Sequence, residues 1–96
     1  MEFLVRQSNK MPMTPEWAER RQILVREERK RATELRDAGI LVRLWRVPGT
    51  RDSIGLYRTR DATELHDVLS SLPMFPWMEM VVEPLATHPQ EATPDA

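Results

Sequence analysis

Residues 40–61, ILVRLWRVPGTRDSIGLYRTRD, decide the fold. From Ile40 to Val47 every residue is β-branched, aliphatic or aromatic apart from Arg43 and Arg46, which reads as a strand. Pro48-Gly49 and Asp52-Ser53 supply turn chemistry, and Ile54 to Thr59 reads as the returning strand of a hairpin. Asp61 then stands as the N-cap of a helix from Ala62 to about Leu72, whose Leu65, Val68, Leu69 and Leu72 fall on one face; Pro73 and Pro76 end it.

On the N-terminal side of the hairpin, Thr14 reads as an N-cap with Pro15 at the first helical position, and no breaker follows until Gly39, so a long first helix precedes the hairpin. Residues 2 to 8 alternate loosely, with Phe3 and Val5 on one face, and read as a first strand; Met78 to Val82 reads as a last one. The order β-α-β-β-α-β is that of a ferredoxin-like α+β domain, a four-stranded antiparallel sheet with both helices on one face. Residues 1–88 form this domain, and the proline-containing segment 89–96 is a C-terminal tail with little to bury.

A chain of 96 residues is one small domain, for which association is a reasonable expectation. In the second strand strict alternation sends Ile40, Val42 and Leu44 one way and Leu41 and Trp45 the other, so both sheet faces are apolar; a second copy packed sheet to sheet would cover the face without helices. The net charge of −1 gives no field for a polyanion, and the basic run Arg26 to Arg31 is interrupted by Glu27 and Glu28, so nucleic acid is not expected as a partner. The absence of cysteine excludes disulfides and thiol chemistry and suits a cytoplasmic location. No segment approaches the length of a membrane span or has the pattern of a signal peptide.

The first helix carries one anomaly. Trp17, Leu24, Ala32 and Leu35 lie on one side of it, and Glu28 interrupts that stripe, four residues after Leu24 and four before Ala32. A carboxylate set among apolar groups is costly to ionise, and burial raises its pKa toward the range a general acid or base needs. The alternatives are a structural ion pair with Arg43 or Arg46, or a place at the rim of the stripe. Glu27, Arg31 and Glu34 belong to the solvated face.

Arg43 and Arg46 lie three apart on a strand and leave opposite faces, so only one points at the helices. Arg43 shares a face with Trp45, and an arginine beside an aromatic suits either a carboxylate or enolate clamp or an interface ion pair. His66 is either a site residue or a structural one beside Asp67. Ser53 and Tyr57 on the third strand either orient a ligand or serve the turn and the packing. Met74, Met78 and Met80 read as core or interface filling.

Three segments together resemble the muconolactone isomerase family: Leu44-Trp45-Arg46, Leu65-His66-Asp67, and Leu72-Pro73-Met74-Phe75-Pro76-Trp77-Met78, with Lys10-Met11-Pro12 before them and His88-Pro89 after. The resemblance runs over nearly the whole chain. It implies a dimeric α+β barrel assembled into a ring-like decamer, working without metal or organic cofactor in aromatic-compound catabolism through the β-ketoadipate route. The reaction it implies moves a proton within muconolactone, a small unsaturated lactone acid, to give the enol lactone of 3-oxoadipate through a dienolate. Glu28, with Glu27 as its neighbour, matches the family's acidic pair and would be the base; Arg43 or Arg46 would bind the substrate carboxylate or the dienolate oxygen. The chain departs from the pattern at Leu4 and Arg43, where the family carries histidine, and at Ile54, where it carries an aromatic. The replacement of these polar pocket groups on a retained scaffold implies a changed substrate or a lost activity, whether another proton-transfer, cyclisation or dehydration step in natural-product metabolism or a non-catalytic ligand-binding oligomer.

Overall fold

The computed structural model describes residues 1–91. Strands β1 (Glu2–Asn9), β2 (Leu41–Arg46), β3 (Ser53–Arg58) and β4 (Met78–Leu85) form one sheet in the order β2-β3-β1-β4. Every neighbouring pair is antiparallel. Helix α1 (Ala18–Asp37) joins β1 to β2, and α2 (Ala62–Ser70) joins β3 to β4. This is the ferredoxin-like arrangement expected from the hairpin and its flanking helices.

The element ends follow local chemistry. At α2 the Asp61 carboxylate accepts from the Glu64 N–H at 2.8 Å, and the Glu64 carboxylate accepts from the Arg60 N–H at 3.0 Å, a reciprocal cap. Gly39, at φ 75°, releases the chain from α1 into β2. Thr14 does mark where the first helical segment begins, but its side chain makes no cap bond: Pro15–Trp17 forms a 3-10 turn ahead of α1, and the Thr14 carbonyl takes the Trp17 N–H at 3.0 Å. Strand β4 runs three residues beyond the expected end at Val82, pairing Pro84 with Phe3 and Leu85 with Glu2. Pro89–Glu91 is a further 3-10 turn, and residues 92–96 of the expected tail lie outside the described residues.

The core lies between the helices and one sheet face. Phe3, Val5, Leu41 and Tyr57 from the sheet meet Leu35 of α1 and Leu65, Val68, Leu69 and Leu72 from α2 and its C-terminal turn. Only the C-terminal half of α1 is packed down in this way. Of its expected stripe, Leu35 is buried and Ala32 packs beside the core, whereas Leu24 is half-buried. Trp17, just ahead of the helix, meets Trp77 edge to face at 6.1 Å, with the Arg20 guanidinium 5.0 and 5.1 Å from the two rings. Arg31, expected in the solvated face, instead donates to the Ser71 hydroxyl at 3.0 Å and ties α1 to the end of α2.

Strict alternation in β2 is broken by a bulge. Leu41 pairs with Tyr57 and Arg43 with Leu56, so Val42 is the extra residue. Beyond it the phase inverts: Leu41, Leu44 and Arg46 share the helix side, while Arg43 and Trp45 share the other. The expected partition of Ile40 to Trp45 is therefore corrected from Val42 onward, although the separation of Arg43 from Arg46 stands.

Gly55 faces the helices between Ser53 and Tyr57. A Cβ there would lie 2.7 Å from Cε2 of the Tyr57 ring and 3.4 Å from Cδ1 of Leu41, so the bare backbone lets the ring lie along the strand toward Gln7. Gly55→Ala is expected to destabilise the fold by about 1–3 kcal/mol through overpacking, read as a lower urea midpoint at unchanged slope.

Candidate active site

A cavity of about 300 Å³ lies between α1 and the sheet. Its helix wall is Val25, Glu28, Arg29 and Ala32. Its sheet wall carries Gln7 from β1, Leu44 and Arg46 from β2, and Ser53 and Tyr57 from β3, with Met74 and Met78 closing one end. The bulge at Val42 delivers Leu44 and Arg46 to this wall.

Glu28 is half-buried, and its carboxylate accepts from the Met74 backbone N–H at 3.1 Å. Among the described residues no ion pair involves it, so the salt bridge that offered an alternative reading does not hold it in place. Burial pushes its pKa above the ordinary glutamate value, and the Met74 N–H offsets part of that rise. The result is a carboxylate that is basic for its kind and open to a cavity.

The cavity is otherwise cationic in its charged groups. Arg29, Arg46 and Arg51 line it, and the Arg46 guanidinium is held by the Arg51 carbonyl, with the Asp52 carbonyl at 3.4 Å. The turn that presents Arg51 is fixed by a two-nitrogen contact of Arg6 with the Asp52 carboxylate, at 2.8 and 3.1 Å. Arg6, with a further bond from Ser8, holds the Asp52 carboxyl below its usual range.

Deeper in, Gln7 donates to the Tyr57 hydroxyl oxygen at 3.1 Å, and the Ser53 hydroxyl donates to the Gln7 side-chain oxygen at 3.4 Å. Burial raises the Tyr57 pKa; the Gln7 bond opposes that shift, and the nearby Glu28 charge adds to it.

Of the residues singled out from sequence, Glu28, Arg46, Ser53 and Tyr57 meet in this cavity. Arg43 and Trp45 do not reach it: they lie on the opposite sheet face, with the Arg43 guanidinium 5.5 Å from the Trp45 ring, because the bulge inverts the phase that would have carried them inward. His66 is exposed on α2 and lines none of the cavity. Leu4 and Ile54 share the opposite face with Arg43, by their pairing with Leu56 and Trp45. None of the three departures from the family pattern therefore lines this cavity.

Gln7, Arg29 and Arg51 escaped the sequence reading. Gln7 had a signal, since it follows Phe3 and Val5 in the inward phase of β1 and is 7% exposed. Arg29 and Arg51 had none, lying on a charged helix and in a turn. Among the described residues no three acidic or histidine side chains group as metal ligands.

The sequence model of the muconolactone delta-isomerase family matches residues 1–91. The chain is 35% identical to the muconolactone delta-isomerase of Pseudomonas aeruginosa, over 99% of this chain and 98% of that one. It is 36% identical to that of Cupriavidus pinatubonensis, over 93% and 96%. A crystal structure of muconolactone isomerase superposes with a TM-score of 0.82 at 32% identity, covering 97% of this chain and 96% of the other.

Proposed function

The chain belongs to the muconolactone delta-isomerase family, and from that premise we infer that it is an isomerase which shifts a proton and a double bond in muconolactone, with Glu28 as its single base. The observation that carries the assignment of the base is a half-buried carboxylate of raised pKa, open to a cavity whose other charged lining groups are arginines. Glu28 removes the proton from the ring γ-carbon, the electron pair moves into the conjugated lactone to give a dienolate, and the same carboxyl returns the proton at the α-carbon. No proton is gained or lost overall, and the double bond has moved by one position. Arg46, steadied by the turn carbonyls, meets the substrate's carboxylate, and Arg29 and Arg51 favour entry of the anion.

We assign the working unit to an oligomer. The sheet face without helices carries Leu4, Ile54 and Leu56, half-buried, and the exposed Trp45, Val81 and Leu85, a surface suited to a second copy of the same sheet. On that arrangement Arg43 and Trp45 serve the contact between copies. The same reading assigns the reaction to the cytoplasm, in keeping with a sequence without cysteine.

The test is conversion of muconolactone by the purified protein, followed by the change in lactone absorbance, across pH. Since the base must be ionised in the free enzyme, kcat/KM is expected to fall about tenfold per pH unit on the acid side, with the limb above the ordinary glutamate range. No turnover of muconolactone would refute the assignment of the reaction. A limb at or below that range would refute Glu28 as the base.

A further inference from the structure

We propose that the Tyr57 hydroxyl donates the hydrogen bond that meets negative charge developing on the substrate's ring carbonyl oxygen, and that Gln7 is the positioning residue that keeps this proton free. The proposal rests on the isomerase reading above and adds to it the group that answers the base.

A phenol has one proton and can accept as well as donate. The Tyr57 oxygen accepts from the Gln7 amide nitrogen, while the amide oxygen accepts from the Ser53 hydroxyl. The Tyr57 proton is therefore not spent on Gln7. Among the described residues Gln7 is the hydrogen-bonding partner of that hydroxyl, and both side chains line the cavity that holds Glu28.

Backbone geometry explains how the oxygen gets there. Tyr57 pairs with Phe3, Gly55 with Val5, and Ser53 with Gln7, so Tyr57 must reach diagonally across two rungs. The missing Cβ at Gly55 clears that path. The side chain is 2% exposed, so water does not compete for the donor from the outside. Burial and the Glu28 charge both keep the phenol protonated at neutral pH, which suits a donor and not a base.

During turnover Glu28 becomes neutral as it takes the ring proton, and the negative charge passes to the dienolate oxygen. The Tyr57 O–H···O⁻ bond strengthens at that moment without transferring its proton. When Glu28 returns its proton to the α-carbon, the charge moves back to the carboxylate and the Tyr57 bond relaxes.

The experiment compares Tyr57→Phe, Gln7→Met and the double variant on muconolactone, with Glu28→Gln alongside. Tyr57→Phe is expected to lose about 10²-fold in kcat with KM within about threefold, as for removal of one oxyanion donor. Gln7→Met is expected to lose about tenfold in kcat, and the double variant to be no slower than Tyr57→Phe, because Gln7 acts through Tyr57. A Tyr57→Phe kcat within about twofold of wild type, or additive losses in the double variant, would overturn the proposal. Full activity in Glu28→Gln would instead overturn the base.

A second measurement stands apart from turnover. In the Glu28→Gln background, where the amide stands for the protonated base, 4-nitrophenolate stands for the dienolate. It is expected to bind, and to bind about tenfold more weakly when Gln7→Met or Tyr57→Phe is added. Equal binding in all three, or no binding in any, counts against the donor.

Discussion

Glu28→Gln is expected to lower kcat for muconolactone isomerisation by about 10³-fold while leaving the folded state more stable than wild type at neutral pH. The loss follows from its role: an amide cannot take the ring proton, and among the described residues no other carboxylate lines the cavity. The gain follows from its surroundings. Gln keeps an oxygen for the Met74 N–H, so the one hydrogen bond to the side chain survives. The charge that burial opposes is gone. A carboxyl whose folded pKa is raised contributes stability below its unfolded pKa and loses it as pH rises through the folded pKa. The variant's higher melting temperature should therefore appear above the ordinary glutamate range and vanish in acid. Differential scanning calorimetry at two pH values checks the stability, and initial rates check the activity. Equal loss of activity and stability would mean that Glu28 is structural.

Leu35→Ala is expected to cost about 2–5 kcal/mol, a large part of the stability a domain of this size has to lose. Leu35 is one of the fully buried side chains, and it is the buried residue of α1. Since no other residue of the helix is buried, the pin at Leu35 carries much of its attachment. The same side chain lines the inner end of the cavity, so the vacated volume joins it. Denaturant unfolding measures the loss. A cost under about 1 kcal/mol would show that α1 is held by its ends instead, through the Trp17–Trp77 contact and the Arg31–Ser71 bond.

The hairpin, the Asp61 cap and the Glu28 interruption were legible from residue types because each depends on neighbours in sequence. The bulge at Val42 was not, because Val42 has the chemistry of an ordinary strand residue and the extra residue is defined only against β3. That single displacement decided which of Arg43 and Arg46 faces the helices and turned Trp45 outward. It also moved Arg43 to the face that Leu4 and Ile54 occupy by simple alternation in β1 and β3. All three looked like lost pocket groups, and the fold puts them on the sheet face opposite the cavity. Gln7 could have been found by the logic applied to Glu28, a polar residue in an apolar phase. The arginines of the cavity mouth could not, since a charged side chain on a helix or turn is the ordinary case.

The proton transfer requires a Glu28 carboxylate made basic by its place in the fold. Carbon-13 NMR titration of its side-chain carboxyl in the free protein tests this most directly, with Glu28→Gln assigning the resonance. The expected result is a pKa above the ordinary glutamate value that coincides with the acid limb of kcat/KM. A Glu28 carboxyl that titrates at or below that value would contradict the account.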